Sequence, residues 1–338
     1  MTAALLRAWT LVVCAAAMAG TLSAQQAPVV TALTAEWPEV VVVNGVEIVP
    51  VQKGVFMLAG AGAHVTAQVG AEGVTLVDSG APGQGSAVLA AVRRLTRRPI
   101  RYLINTGSGT EHTGGNGDVV TASGGPAGPG GAGLRAVANE NVGVMTIAHE
   151  NAATRMSAGG AGIPVLAGAA IPVSTFFTAR KDVYVNGEGI ELLHQPSAHS
   201  DGDLVVYFRA SDVVSAGEIY DSEGYPRIDL SRGGSVQGAI DALNALLDLT
   251  IPARNQMGGT RVIPARGRLA NEADVVEYRD MVTIVRDRIQ ALVRTGATVQ
   301  QVKAARPTLE YDGSYGRDAA WTGEMFIETI YRDLSGGK

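Results

Sequence analysis

Residues 103–116 read LINTGSGTEHTGGN. The stretch opens apolar, like the end of a buried strand. At Asn105 it breaks into a loop of Gly, Ser and Thr that sets Glu111 directly beside His112. Three later segments break in the same way: QPSAHSDGD at 195–203, SAGEIYD at 215–221 and IPARGR at 263–268. In α/β proteins the functional groups collect where strands end. Four such breaks, carrying His112, His199, Glu218 and Arg266, therefore mark a candidate site.

The elements around these breaks alternate. Short Val-rich runs closed by Gly or Asn read as strands: VVVNGVEIVPVQ (41–52), GVFMLAG (54–60), HVTAQVG (64–70) and VTLVDSG (74–80). Further strands are expected at 100–105, 143–147, 190–194, 203–220 and 261–263. Apolar residues at Val236, Ala239, Ile240, Leu243, Leu246 and Leu247 predict an amphipathic helix. Val275, Tyr278, Val282, Val285, Ile289 and Leu292 predict a long one over 273–294. No internal repeat is evident. SGGPAGPGGAGL at 123–134 reads as a surface loop.

With 338 residues, 46% of them hydrophobic, the chain can bury a large core. Its net charge is −5 and it has no basic block, which argues against a nucleic-acid partner. The first residues combine one positive charge (MTAALLR), a short apolar run (AWTLVVCAAAMAG) and small residues (TLSAQQ). That pattern predicts a signal peptide over 1–24, cleaved between Ala19 and Ala24, and a periplasmic or secreted protein free of the membrane after cleavage. The single cysteine, Cys14, lies in this run, so the mature chain is expected to have no thiol chemistry.

Taken together, the four breaks resemble the motifs of the metallo-β-lactamase superfamily, over roughly residues 50–295. VTLVDSG resembles the strand that ends in the family's Asp, here Asp78. NT and HTGGN flank its first metal motif, usually His-x-His-x-Asp-His. PSAHSDGDLVVYF resembles its second histidine motif, SAGEIY its bridging Gly-Asp and VIPARG its final Gly-His-Gly. The resemblance implies a metallo-β-lactamase-like αββα sandwich at 51–295, after a lead-in at 25–50 and before a helical C-terminal extension at 296–338. It also implies hydrolysis by a hydroxide held on one or two Zn²⁺.

Carried over residue by residue, the motif is depleted. The family's first two histidines fall on Gly107 and Gly109, its Asp on Glu111, its bridging Asp on Glu218 and its last His on Arg266; His112 and His199 remain. Glycine has no donor atom and Arg has no free lone pair. His112 and His199, with Glu111 and Glu218, make at most one N₂O₂ site. The preferred reading is that the two glutamates pair with Arg266. Asp78 is expected to orient the site, His64 is a replacement ligand or a turn residue, and His194 is expected to support the ligands from behind and not to bind metal itself. A metal-free nucleophile at Ser200 or Ser108 lacks the strand–turn–helix elbow. His149 has Ala153 four residues on, so it is not part of a metalloprotease helix. Two functions follow for a small-molecule substrate or ligand. One is weak hydrolysis of an ester, lactam or thioester, with at most one Zn and Glu111 as base. The other is a non-catalytic protein that keeps the cleft for binding.

Overall fold

The computed structural model describes residues 39–127, 143–159, 166, 168–256 and 258–336. The expected signal peptide and most of the Gly/Pro loop lie outside them. Two sheets face each other. The first holds eight strands in sequence order: β1 (Val41–Val43), β2 (Val46–Gln52), β3 (Val55–Ala59), β4 (Val65–Val69), β5 (Val74–Val77), β6 (Ile100–Ile104), β7 (Met145–His149) and β8 (Ser174–Phe176). The second runs β13 (Arg261–Ile263), β12 (Val213–Ser215), β11 (Asp203–Phe208), β10 (Glu188–Gln195), β9 (Arg180–Val185). The first sheet thus begins at Val41 and takes in part of the 25–50 segment.

Strand alternation explains the unbroken apolar runs. Val55 and Met57 of β3 point to a core between the sheets with Leu204, Val206 and Phe208 of β11. Phe56 and Leu58 point outward, against Val88 and Val92 of helix α1 (Gly85–Leu95). Val205 of β11 turns to the opposite outer face, where α5 (Val236–Leu249) and α6 (Glu272–Arg294) lie. A sheet covered on both faces needs apolar residues at every position, not every second one. The layers are therefore helix, sheet, sheet, helix. Between α1 and α5, the chain forms α2 (Thr110–Thr113), α3 (Asn116–Ala122) and α4 (Glu150–Ala158).

The helix starts follow their capping chemistry. Ser235 accepts from Gly238 N at 2.9 Å, and Asn271 with Asp274 forms a capping box. The expected strand over 203–220 is shorter and split. After β12 the chain enters a 3₁₀ turn at Gly217–Ile219, with Gly217 at φ +52°.

The C-terminal residues form α7 (Val299–Ala304), α8 (Asp312–Tyr315) and α9 (Gly323–Leu334). They share one core with the second sheet's helices. Phe326 stacks on Tyr225 with ring centroids 4.9 Å apart, and Tyr225 donates to Asp312 Oδ1 at 2.9 Å. Among the described residues no helix is long and apolar enough to cross a membrane.

Because Phe326 is fully buried in that shared core, Phe326→Ala is expected to destabilise the whole chain by about 3–5 kcal/mol. Urea unfolding followed by circular dichroism should show one transition shifted as a unit. A separate early transition for residues 296–336 would mean that the extension folds on its own.

Candidate active site

The geometry of the site follows from strand direction. β5 and β6 are parallel in the first sheet, and β12 and β13 are parallel in the second. The loops that leave these four strands meet at one edge of the sandwich. Asp78 follows β5, the 105–113 loop follows β6, Glu218 follows β12 and Arg266 follows β13.

Asp78 is buried and held at φ +65°. Its carboxylate accepts from Thr106 N at 2.8 Å, Thr106 Oγ1 at 2.6 Å and His112 Nδ1 at 2.6 Å. The other ring nitrogen of His112, Nε2, donates to Glu218 Oε1 at 2.9 Å. Glu218 in turn accepts from Arg266, at 2.7 Å on Oε1 and 3.0 Å on Oε2. The same guanidinium also donates to Glu111 Oε2. Asp221 Oδ2 lies 3.8 Å from Arg266 Nη1. Charge therefore alternates from Asp78 through His112, Glu218 and Arg266 to Glu111.

Each group is tuned by its neighbours. Burial alone would lower the His112 pKa, but the charge and hydrogen bond of Asp78, helped by Glu218, raise it to about 10. His112 is thus an imidazolium at neutral pH, with a proton on each nitrogen and no lone pair. Burial would raise the pKa of Glu218, yet the His112 hydrogen bond and the Arg266 charge hold it well below the usual carboxylate range. Arg266 is pushed further toward its charged form: burial opposes this, and Glu218 outweighs it. Burial pushes Asp221 up.

Gly217 is needed where it stands. Besides its positive φ, a side chain there would place Cβ 2.7 Å from Thr106 Oγ1, the hydroxyl that binds Asp78. Gly107 and Gly109 are different. Neither has a positive φ, and a Cβ would meet only Asp203 Oδ1 at 3.4 Å or His112 Cδ2 at 3.5 Å. The backbone would accept a side chain at both.

The remaining sequence candidates lie outside this network. No described hydrogen bond joins His199, His64 or His194 to it. His199 Nδ1 lies 2.5 Å from the carbonyl of Arg227; since that oxygen only accepts, Nδ1 carries the proton and Nε2 is the nitrogen left over. His64 Nδ1 lies 3.1 Å from the Pro264 carbonyl, and burial lowers its pKa to about 4. His194 stacks on His149, centroids 3.6 Å apart, with Nε2 on the Asp201 carbonyl at 2.8 Å.

Three groups were not singled out from sequence: Thr106, Asp203 and Asp221. Thr106 stood in the quoted Asn-Thr pair, and Asp221 three residues after Glu218. Asp203 accepts from Ser200 N and Oγ, both at 2.7 Å, and its pKa is raised by burial. Among the described residues, no group of three or more His, Cys, Asp or Glu side chains is placed to hold a metal ion.

Solved structures share this architecture at low identity. A stereoselective inverting sec-alkylsulfatase from Pseudomonas sp. matches at TM-score 0.64 and 13% identity, over 83% of this chain and 49% of that one. The chain thus spans about half the length of the alkylsulfatase. A metallo-beta-lactamase from Pontibacter korlensis matches at TM-score 0.50 and 16% identity, over 72% of this chain and 98% of that one. The DIM-1 metallo-beta-lactamase matches at 0.51 and 14%, over 72% and 99%. These likenesses show the fold. No curated protein matches in sequence. The sequence model described as the metallo-beta-lactamase superfamily matches residues 61–253, more than half of the chain, and with two sheets that carry the site at their shared edge, the chain belongs to that superfamily.

Proposed function

We propose that this is an exported hydrolase-fold protein with a degenerate metal site, holding at most one divalent ion and hydrolysing small esters, lactams or thioesters weakly. The observation that carries the reading is the Arg266 guanidinium, which bridges Glu218 and Glu111 where the family's last ligand would stand.

As arranged, the donor set does not fit a zinc ion. A ligating imidazole needs a free lone pair, and both nitrogens of His112 face carboxylates. Both oxygens of Glu218 are taken by His112 and Arg266. A metal would have to displace a fixed cation from its carboxylates and remove a proton from an imidazolium stabilised on both sides. Glu111 is the exception: half-exposed, it is the group best placed to take a proton from an incoming nucleophile.

Elemental analysis and zinc titration of purified protein check the metal reading. Less than one tightly bound equivalent per chain is expected, with slow turnover of chromogenic lactam, ester and thioester substrates. Two tight ions per chain would end the degenerate-site reading. If substrates saturate the cleft without turnover, the protein only binds. Replacing Gly107, Gly109 and Arg266 together by His should raise metal content, since the backbone has room at both glycines.

Arg266 should also matter for stability. Arg266→Ala is expected to cost roughly 2–4 kcal/mol, somewhat below the range for a fully buried pair because the side chain keeps some contact with water. Arg266→Lys should recover only part of this, since an ammonium cannot fork across both Glu218 oxygens. An unchanged melting temperature for Arg266→Ala would remove the structural role assigned to the guanidinium.

Export rests on the N-terminal pattern alone. Mass spectrometry of the mature protein should find its first residue within 20–25; an intact Met1 would count against processing.

A further inference from the structure

A second feature lies beside the charge network. The loop after β12 and the C-terminal helix α9 line an open cleft of about 670 Å³. That volume is in the range of small-molecule sites. One wall is apolar, made of Ile228 and Leu230 from the loop and Trp321 from the segment before α9. The polar lining includes His199, Arg227 and Arg332. Among the described lining residues the acidic one is Asp229, which already accepts from Ser231 N and Oγ and from Arg232 N and Nε.

The walls are fixed. Trp321 Nε1 donates to the Pro226 carbonyl at 3.2 Å, and Arg227 Nη2 binds Asp318 Oδ2 at 2.5 Å. Each guanidinium commits one nitrogen to a carboxylate in the described contacts: Arg227 to Asp318 and Arg332 to Glu328. Arginine has five N–H donors, so both keep capacity for another acceptor. Arg332 is widely exposed, and its partner Glu328 is also held by Lys303.

We infer that this open cleft is a binding site for a small amphiphilic carboxylate, its apolar body on Ile228, Leu230 and Trp321 and its carboxylate on Arg332 and Arg227. The guanidinium fork matches the two oxygens of a carboxylate. The apolar wall excludes small inorganic anions as the preferred occupant, because they would leave it in water. The assignment goes beyond the hydrolase reading and does not depend on it, since a chain without turnover would still hold the acid.

The test is calorimetric titration of the full chain with octanoate, octanol and octylammonium. Octanoate should bind saturably with Kd on the order of 0.1–1 mM, and the alcohol and the amine more weakly. Arg332→Gln, at an exposed position outside the core, should weaken octanoate at least about fivefold with an unchanged melting temperature. Leu230→Asp should weaken it similarly from the apolar side. The proposal is overturned if octanoate does not saturate, if octanol or octylammonium binds as tightly, or if Arg332→Gln leaves its Kd unchanged. Hydrolytic activity, present or absent, leaves this result as it stands, so the two readings fail separately.

Discussion

The contact between His112 and its two carboxylates organises the site. Asp78 leaves the first sheet and Glu218 leaves the second, and His112 touches both, at 2.6 and 2.9 Å. An imidazolium between two carboxylates is stable in a dry setting because each charge faces an opposite one. Arg266 extends the chain by one cation and brings in Glu111 from the loop that also carries His112. Loops from β5, β6, β12 and β13 are thereby cross-linked at the sandwich edge. The positive charge at this edge comes from a side chain. A guanidinium is suited to it, being always charged and able to span two carboxylates.

Much of the fold was legible in the sequence because both sheets are covered on both sides. That forces continuous Val-rich runs such as VFMLA and DLVVYF, which stand out from amphipathic helices like 236–249. The end of β12 just before Gly217 was harder to see. SAGEIY is apolar enough to read as strand, and only the close approach to Thr106 shows why the chain must turn there. At the site, the pairing of Arg266 with the two glutamates could be argued once the family resemblance had put the three in one cleft, because two carboxylates left together there need a cation. The His199–Arg227 contact could not. It joins residues 28 positions apart through a backbone carbonyl, and no side-chain pattern encodes which carbonyl a loop will present.

The C-terminal extension changes what the edge of the sandwich can offer. Tyr225, Tyr278 and Tyr315 form a chain of ring contacts that continues to Phe326. Tyr278 also donates to the Gly224 carbonyl at 3.0 Å. The loop that starts at Glu218 is thus fixed at its far end by α6 and by the extension. Without that packing the 224–231 segment would have solvent on one side and no wall opposite. The extension therefore supplies one wall of the cleft beside His199, through Trp321, Thr329 and Arg332, and steadies the loop that carries Glu218.

The same electrostatics constrain how this edge could hold a metal ion. Three carboxylates, Asp78, Glu218 and Glu111, face two cations, His112 and Arg266. Adding a divalent ion while Arg266 stays would set four positive charges against three carboxylates. Removing Arg266 without adding ligands would free Glu218 and Glu111 of a competing cation but would leave an incoming ion carboxylate oxygens only, since both nitrogens of His112 face carboxylates. Neither step alone supplies a full ligand set. The two glycines and the arginine are coupled through the carboxylates between them, and an ion becomes competitive only when the guanidinium leaves and neutral imidazoles arrive together.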